Sequence, residues 1–76
     1  MYNYHITKNI LDMNIFDKRT ETIFKEYCKI QFDGKYNMVT EAWKVMQIMP
    51  SRPSSEEYCF ILRHYNELKQ QYPIAR

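Results

Sequence analysis

The sequence predicts an all-α protein, a small three- to four-helix bundle with an extended N-terminal arm. Three observations point there. The 76 residues include one glycine and three prolines, too few for the tight turns of an all-β fold. Apolar residues recur at helical spacing through three stretches, at about 18–32, 38–49 and 55–72. Each stretch is bracketed by residue types that start or stop helices.

The length sets one domain, 1–76, with a small core, since a chain of this size buries roughly 60% of its unfolded surface. Seven Tyr, four Phe, one Trp and five Met supply the bulk that such a core needs.

The chain opens with alternation: Tyr2, Tyr4 and Ile6 on one side, Asn3, His5 and Thr7 on the other. Period two is a strand signal. A lone strand in a helical chain is disordered, packs as an arm, or pairs with another molecule's edge. Lys8 to Phe16 is ambiguous, with Ile10, Leu11 and Ile15 allowing a short helix.

For the first long helix, Ile23, Tyr27 and Ile30 fall at i, i+4 and i+7, and Phe24 and Cys28 widen the stripe. Asp17 stands at the N-cap, where its side chain can accept from the free N–H groups of the first turn. Gly34 stands just past the end, where a left-handed residue is needed.

Asn37 caps the second helix. A wheel gathers Val45, Met38, Met49, Ala42, Met46, Val39 and Trp43 into one arc of about 160° at 100° per residue. Thr40, Glu41, Lys44, Gln47 and Ile48 face away, and Pro50 and Pro53 end the helix in an extended connector. The last helix starts on a capping box, Ser54-Ser55-Glu56-Glu57. Its stripe is Tyr58, Ile61, Leu62, Tyr65, Leu68 and Tyr72, and Pro73 stops it. The "NIFD" of residues 14–17 is echoed by "NMVT" at 37–40, as two similar helix entries would be.

Charge excludes more than it suggests. Residues 1–35 carry six basic and five acidic groups, and residues 36–76 carry five and four. Duplex-binding domains cluster their basic groups on one face, because phosphate contacts supply most non-specific affinity. The helix–Gly–helix outline of residues 32–46 resembles a DNA-reading motif. Its second helix, however, offers only Thr40, Glu41, Lys44 and Gln47, with Lys35 and Arg52 in support. Nucleic acid is therefore the alternative partner rather than the leading one.

No catalytic, cofactor or metal site is expected. His64 follows Cys59 by five residues, which does not place the two on one helix face for chelation. Phosphate-cradling loops need glycines that the chain lacks. Glu56 and Glu57 are accounted for by capping, and Cys28 and Cys59 read as buried small hydrophobes. An enzyme centred on either thiol would reveal itself by fast alkylation. The opening "MYNYHITKNI" lacks a basic start followed by an apolar core, and no apolar run approaches the roughly 20 residues that span a bilayer. The expected setting is the cytoplasm, without membrane contact.

One position breaks the helical pattern. Phe60 points roughly 160° from the centre of the last helix's stripe at 100° per residue, among Glu56, Arg63, His64, Glu67 and Gln71. An aromatic among charges on an outward face is a candidate partner anchor, unless the N-terminal arm folds over it. Ile48 is a second such case.

The stretch "DGKYNMVTEAWKVMQIM" resembles small uncharacterised phage-encoded helical proteins with a Gly-x-x-Asn-Met corner, here Gly34, Asn37 and Met38. The resemblance covers about residues 24 to 72. It implies a phage product acting in the host cytoplasm, in the manner of anti-CRISPR proteins, by sterically blocking a host protein or ribonucleoprotein complex. The candidate contact residues are Tyr2, Tyr4, Glu56, Phe60, Arg63 and Glu67. Wide apolar arcs also suggest a homodimer, formed by pairing of the arms or by the outer edges of the Phe24/Phe32 and Trp43 arcs.

Overall fold

A computed structural model describes residues 13–73. The strand-like alternation of residues 2–6, with Tyr2 and Tyr4, lies outside them. The described residues form four helices and no strand: α1 (Lys18–Asp33), α2 (Ala42–Met46), α3 (Ser55–Arg63) and α4 (Tyr65–Gln71). α1 packs against α2 and α3, and α3 against α4. The protein is a small all-α bundle.

α1 is sixteen residues long because its ends are well specified. Gly34 closes it at φ 68°, the left-handed conformation that a Cβ disfavours. A Cβ added there would meet nothing within 4 Å, so the requirement is conformational rather than steric. At the other end Asp17 is the N-cap, but its side chain makes no capping bond. Asn14 does the local work instead: its Oδ1 accepts from the Phe16 N–H at 2.7 Å, and its carbonyl accepts from the Asp17 N–H at 3.2 Å. Asn37 does the same at the second entry, its Oδ1 accepting from Val39 at 2.8 Å and Thr40 at 3.2 Å. The echo between residues 14–17 and 37–40 is thus two asparagine-led turns.

The expected helix at 38–49 is mostly not regular helix. Residues 38–41 form a turn, held by Asn37 and by the Glu41 carboxylate, which accepts from the Asn37 N–H at 2.7 Å. Regular α-helix covers only Ala42–Met46. Beyond it Ile48 and Met49 bond three residues back, at 3.1 and 3.2 Å, a tightening that delivers the chain to Pro50. Because the helix does not run through residue 39, the wheel misplaces Val39, which is 91% exposed rather than in the arc. Ile48 is exposed, as the wheel has it.

The connector is not simply extended. Ser51 and Pro53 turn inward and are buried, while Arg52 between them takes φ 42°. The following proline disfavours right-handed α at Arg52, and the left-handed value is strained for a residue with a Cβ. The Ser51 hydroxyl donates to Glu26 of α1, and the Gln47 amide donates to the Pro53 carbonyl at 2.9 Å.

The capping box of α3 forms in full: Ser54 Oγ accepts from the Glu57 N–H, and Glu57 accepts from the Ser54 N–H. The stretch expected as one helix over 55–72 bends at His64, whose φ −108° and ψ 25° leave the helical region. His64 stacks on Phe60 with ring centroids 4.4 Å apart and pairs with Glu67, so one side chain clamps both halves of the bend. The wheel averaged two helices of different direction. Leu62 consequently stands 43% exposed, although its spacing placed it in the stripe.

The core comprises Ile23, Phe24, Tyr27, Cys28 and Ile30 of α1, Ala42 and Met46 of α2, Ile61 of α3 and Leu68 of α4. Aromatic edges close it: Tyr27 meets Tyr58 and Tyr65, Phe24 meets Tyr65, and Trp43 meets Tyr58 at 5.1 Å. T-shaped contacts of this kind add to simple area burial. Polar ties lock the frame. The Arg19 guanidinium grips Glu57 through two bonds of 2.9 Å, and the Tyr72 hydroxyl donates to the Ile15 carbonyl at 2.7 Å.

Candidate functional site on the outer face of α3

α3 is held by its capping box at one end and by Arg19, which grips Glu57 from the side. The ion pair sets the electrostatics of this end. The hydrogen bond from Arg19 holds the Glu57 carboxyl below its ordinary range against a smaller opposing effect of burial, and Ser54 adds to the lowering. Reciprocally, Glu57 raises the Arg19 guanidinium.

Along one flank of α3, at the border of the core, Glu56, Phe60 and Arg63 follow at i, i+4 and i+7, on one side of the helix. Together with Met13, Ser55 and Cys59 they line a shallow depression of about 380 Å³. Glu56 and Arg63 are exposed, and neither enters an ion pair with a described residue. Seven residues of helix separate them by about 10.5 Å along the axis, too far to neutralise each other. Their charges stand available, one at each end of an apolar floor.

Phe60 differs from the expectation. It is half-buried and packs against the core instead of projecting outward, because α3 alone, without α4, rotates the apolar stripe toward it. Its remaining surface forms the floor of the depression, beside Met13 from the chain entering α1. Glu67 is exposed but does not line the depression; its carboxylate is engaged by His64 Nδ1. The structure therefore brings together three of the six candidate contact residues, leaves Glu67 aside, and does not describe Tyr2 and Tyr4. Sequence reasoning missed Ser55 and Cys59, although their i, i+4, i+8 spacing with Arg63 was visible on a wheel. Nothing local announced Met13.

The residues of the DNA-reading alternative are placed differently. Glu41 is spent on the Asn37 N–H and Gln47 on the Pro53 carbonyl, and Thr40 lies in the turn. Lys44, Lys35 and Arg52 stay exposed. The reading helix is five residues long. As for thiol chemistry, Cys28 is buried and burial pushes its pKa up, the reverse of an activated nucleophile. Cys59 is exposed, correcting the expectation that both cysteines are buried. No group of three or more potential metal ligands occurs among the described residues. No described helix is long and apolar enough to cross a membrane. Of the residues named for self-association, Phe24 is fully buried and Trp43 lies half-buried against Tyr58.

The described residues thus define a small all-α bundle with an amphiphilic depression on one well-anchored helix. The chain matches no protein-family model, no curated protein and no solved structure.

Proposed function

We propose that this is a non-enzymatic binding protein, phage-encoded and acting in the host cytoplasm. It inhibits a host protein or ribonucleoprotein complex by occupying one of its surfaces, as anti-CRISPR proteins do. The observation that carries the binding reading is the face of Glu56, Phe60 and Arg63: an aromatic floor between two separated, opposite charges, on a helix capped and cross-braced to α1. Charges at the rim give register and orientation, and the apolar centre gives affinity. The phage context rests on the Gly34, Asn37 and Met38 corner. No cofactor or metal enters this reading.

Capture from a host lysate on the immobilised protein tests it. A stoichiometric protein partner is expected, and its loss with Arg63→Glu would locate the contact on α3. Recovery of no partner counts against the reading. The alternative, a DNA-binding regulator, predicts duplex binding that weakens steeply with salt; no binding at about 50 mM salt removes it.

A further inference from the structure

Glu56 and Arg63 stand near the two ends of α3 with opposite charge, and the midpoint between them falls between Cys59 and Phe60. Neither charged side chain enters an ion pair with a described residue. The Glu56 carboxylate accepts a long bond of 3.4 Å from the neighbouring Ser55 hydroxyl. Between the two charges lie the exposed Cys59 and the uncovered part of Phe60. Such a flank is its own complement. A half-turn about an axis through the midpoint, perpendicular to α3, carries Glu56 onto the place of Arg63 and Arg63 onto the place of Glu56.

We infer that this flank of α3 binds a second copy of the chain, antiparallel across a two-fold axis, with Glu56 of each copy against Arg63 of the other. The interface is isologous, so one attractive pair occurs twice. Helix axes packed about 8–10 Å apart leave Glu and Arg side chains within reach of each other. Near the axis Cys59 of one copy meets Phe60 of the other, which takes apolar surface out of water. A parallel arrangement would set Glu56 against Glu56 and Arg63 against Arg63, and that repulsion fixes the direction. The contact is one short helix wide, below the size of a standard interface, so the dimer is weak and exchanges readily. That the dimer withholds this flank from a host complex rests on the binding reading above; the dimer itself is measured without any partner.

Sedimentation equilibrium of the full chain at up to about 1 mM reads association of this strength. The intact chain is expected to dimerise. E56K sets two bases against each other at both contacts, and R63E sets two acids. Each variant alone is therefore expected to associate about tenfold more weakly. Mixed one to one, the two variants regain both attractive pairs, and the mixture is expected to dimerise again. The double exchange E56K/R63E is self-complementary and is expected to dimerise as the intact chain does. Recovery in the mixture also shows that both single variants are folded. Where circular dichroism finds E56K or R63E unfolded, E56Q and R63Q replace them, and their mixture regains one of the two pairs. An intact chain that sediments as a monomer overturns the inference. So do single variants that associate as tightly as the parent, a mixture no tighter than its components, and a folded double exchange that stays monomeric. None of these outcomes depends on whether a host partner is found.

Discussion

α3 and the segment 37–53 carry comparable numbers of polar side chains on wheels of comparable promise, yet they come to opposite ends. In α3 the capping groups Ser54 and Glu57 lie at the first turn, and Glu56, Phe60 and Arg63 remain on an unbroken surface. In 37–53 the polar side chains are consumed in making the corner: Asn37 Oδ1 accepts from the Val39 and Thr40 N–H groups, the Glu41 carboxylate accepts from the Asn37 N–H, and Gln47 holds the connector. What remains is five residues of helix between two turns. A polar side chain engaged by its own backbone is structural, however outward its wheel position, and only those left over are free to meet a partner.

The largest test of this contrast uses the same substitution in both regions. Ile61→Ala removes a fully buried side chain from α3 and should cost about 2–5 kcal/mol in urea unfolding. Ile48→Ala acts on a side chain 82% exposed and should stay within about 0.5 kcal/mol. Equal losses would mean that the corner packs quite differently.

A smaller effect separates the two N-caps that looked alike in sequence. Ser54→Ala breaks a formed capping box and should cost about 1 kcal/mol. Asp17→Ala removes a side chain with no capping bond, leaving only its charge near the start of α1, about 0.5 kcal/mol or less. If the two cost the same, the asparagine-led turn at Asn14 is not what starts α1.

The smallest effect concerns pH. Glu57 has its folded-state pKa lowered, chiefly by the hydrogen bond from Arg19, so it binds protons less readily folded than unfolded. Its contribution is therefore present above the ordinary carboxylate pKa and is lost as pH falls through the lowered folded value. The pair is partly exposed and screened by solvent, which keeps the effect modest. Glu57→Gln should lower the urea midpoint at about pH 7, and the gap to the parent should narrow at about pH 3. A gap constant with pH would mean that the Glu57 charge is not what Arg19 stabilises.

Much of the fold was legible because its signals are local. Gly34 and the Ser54–Glu57 box marked the end of α1 and the start of α3, and both work as their chemistry requires. What stayed hidden was decided by groups acting at a distance or against periodicity. The wheel assumed a continuous helix through 38–49, whereas Asn37 and Pro50 shortened it from both ends. Another wheel ran across the bend at His64, which misdirected Phe60 and Leu62. Partners 38 residues apart, Arg19 and Glu57, leave no trace in sequence spacing. Thr20, a buried hydroxyl without a hydrogen-bond partner, is equally silent there. The candidate site was half visible for the same reason: Glu56 and Arg63 follow from the helix alone, whereas Met13 reaches the depression only through tertiary folding.

The most direct measurement sets the two faces against each other in one capture experiment, with circular dichroism confirming that each variant is folded. The intact chain, the double variant E56K/R63E on α3 and the double variant K35E/K44E around the corner are immobilised side by side and exposed to the same host lysate. If α3 is the binding face, the intact chain and K35E/K44E retain the same stoichiometric partner and E56K/R63E loses it. A partner kept by E56K/R63E but lost by K35E/K44E would contradict the assignment and move the function to the corner.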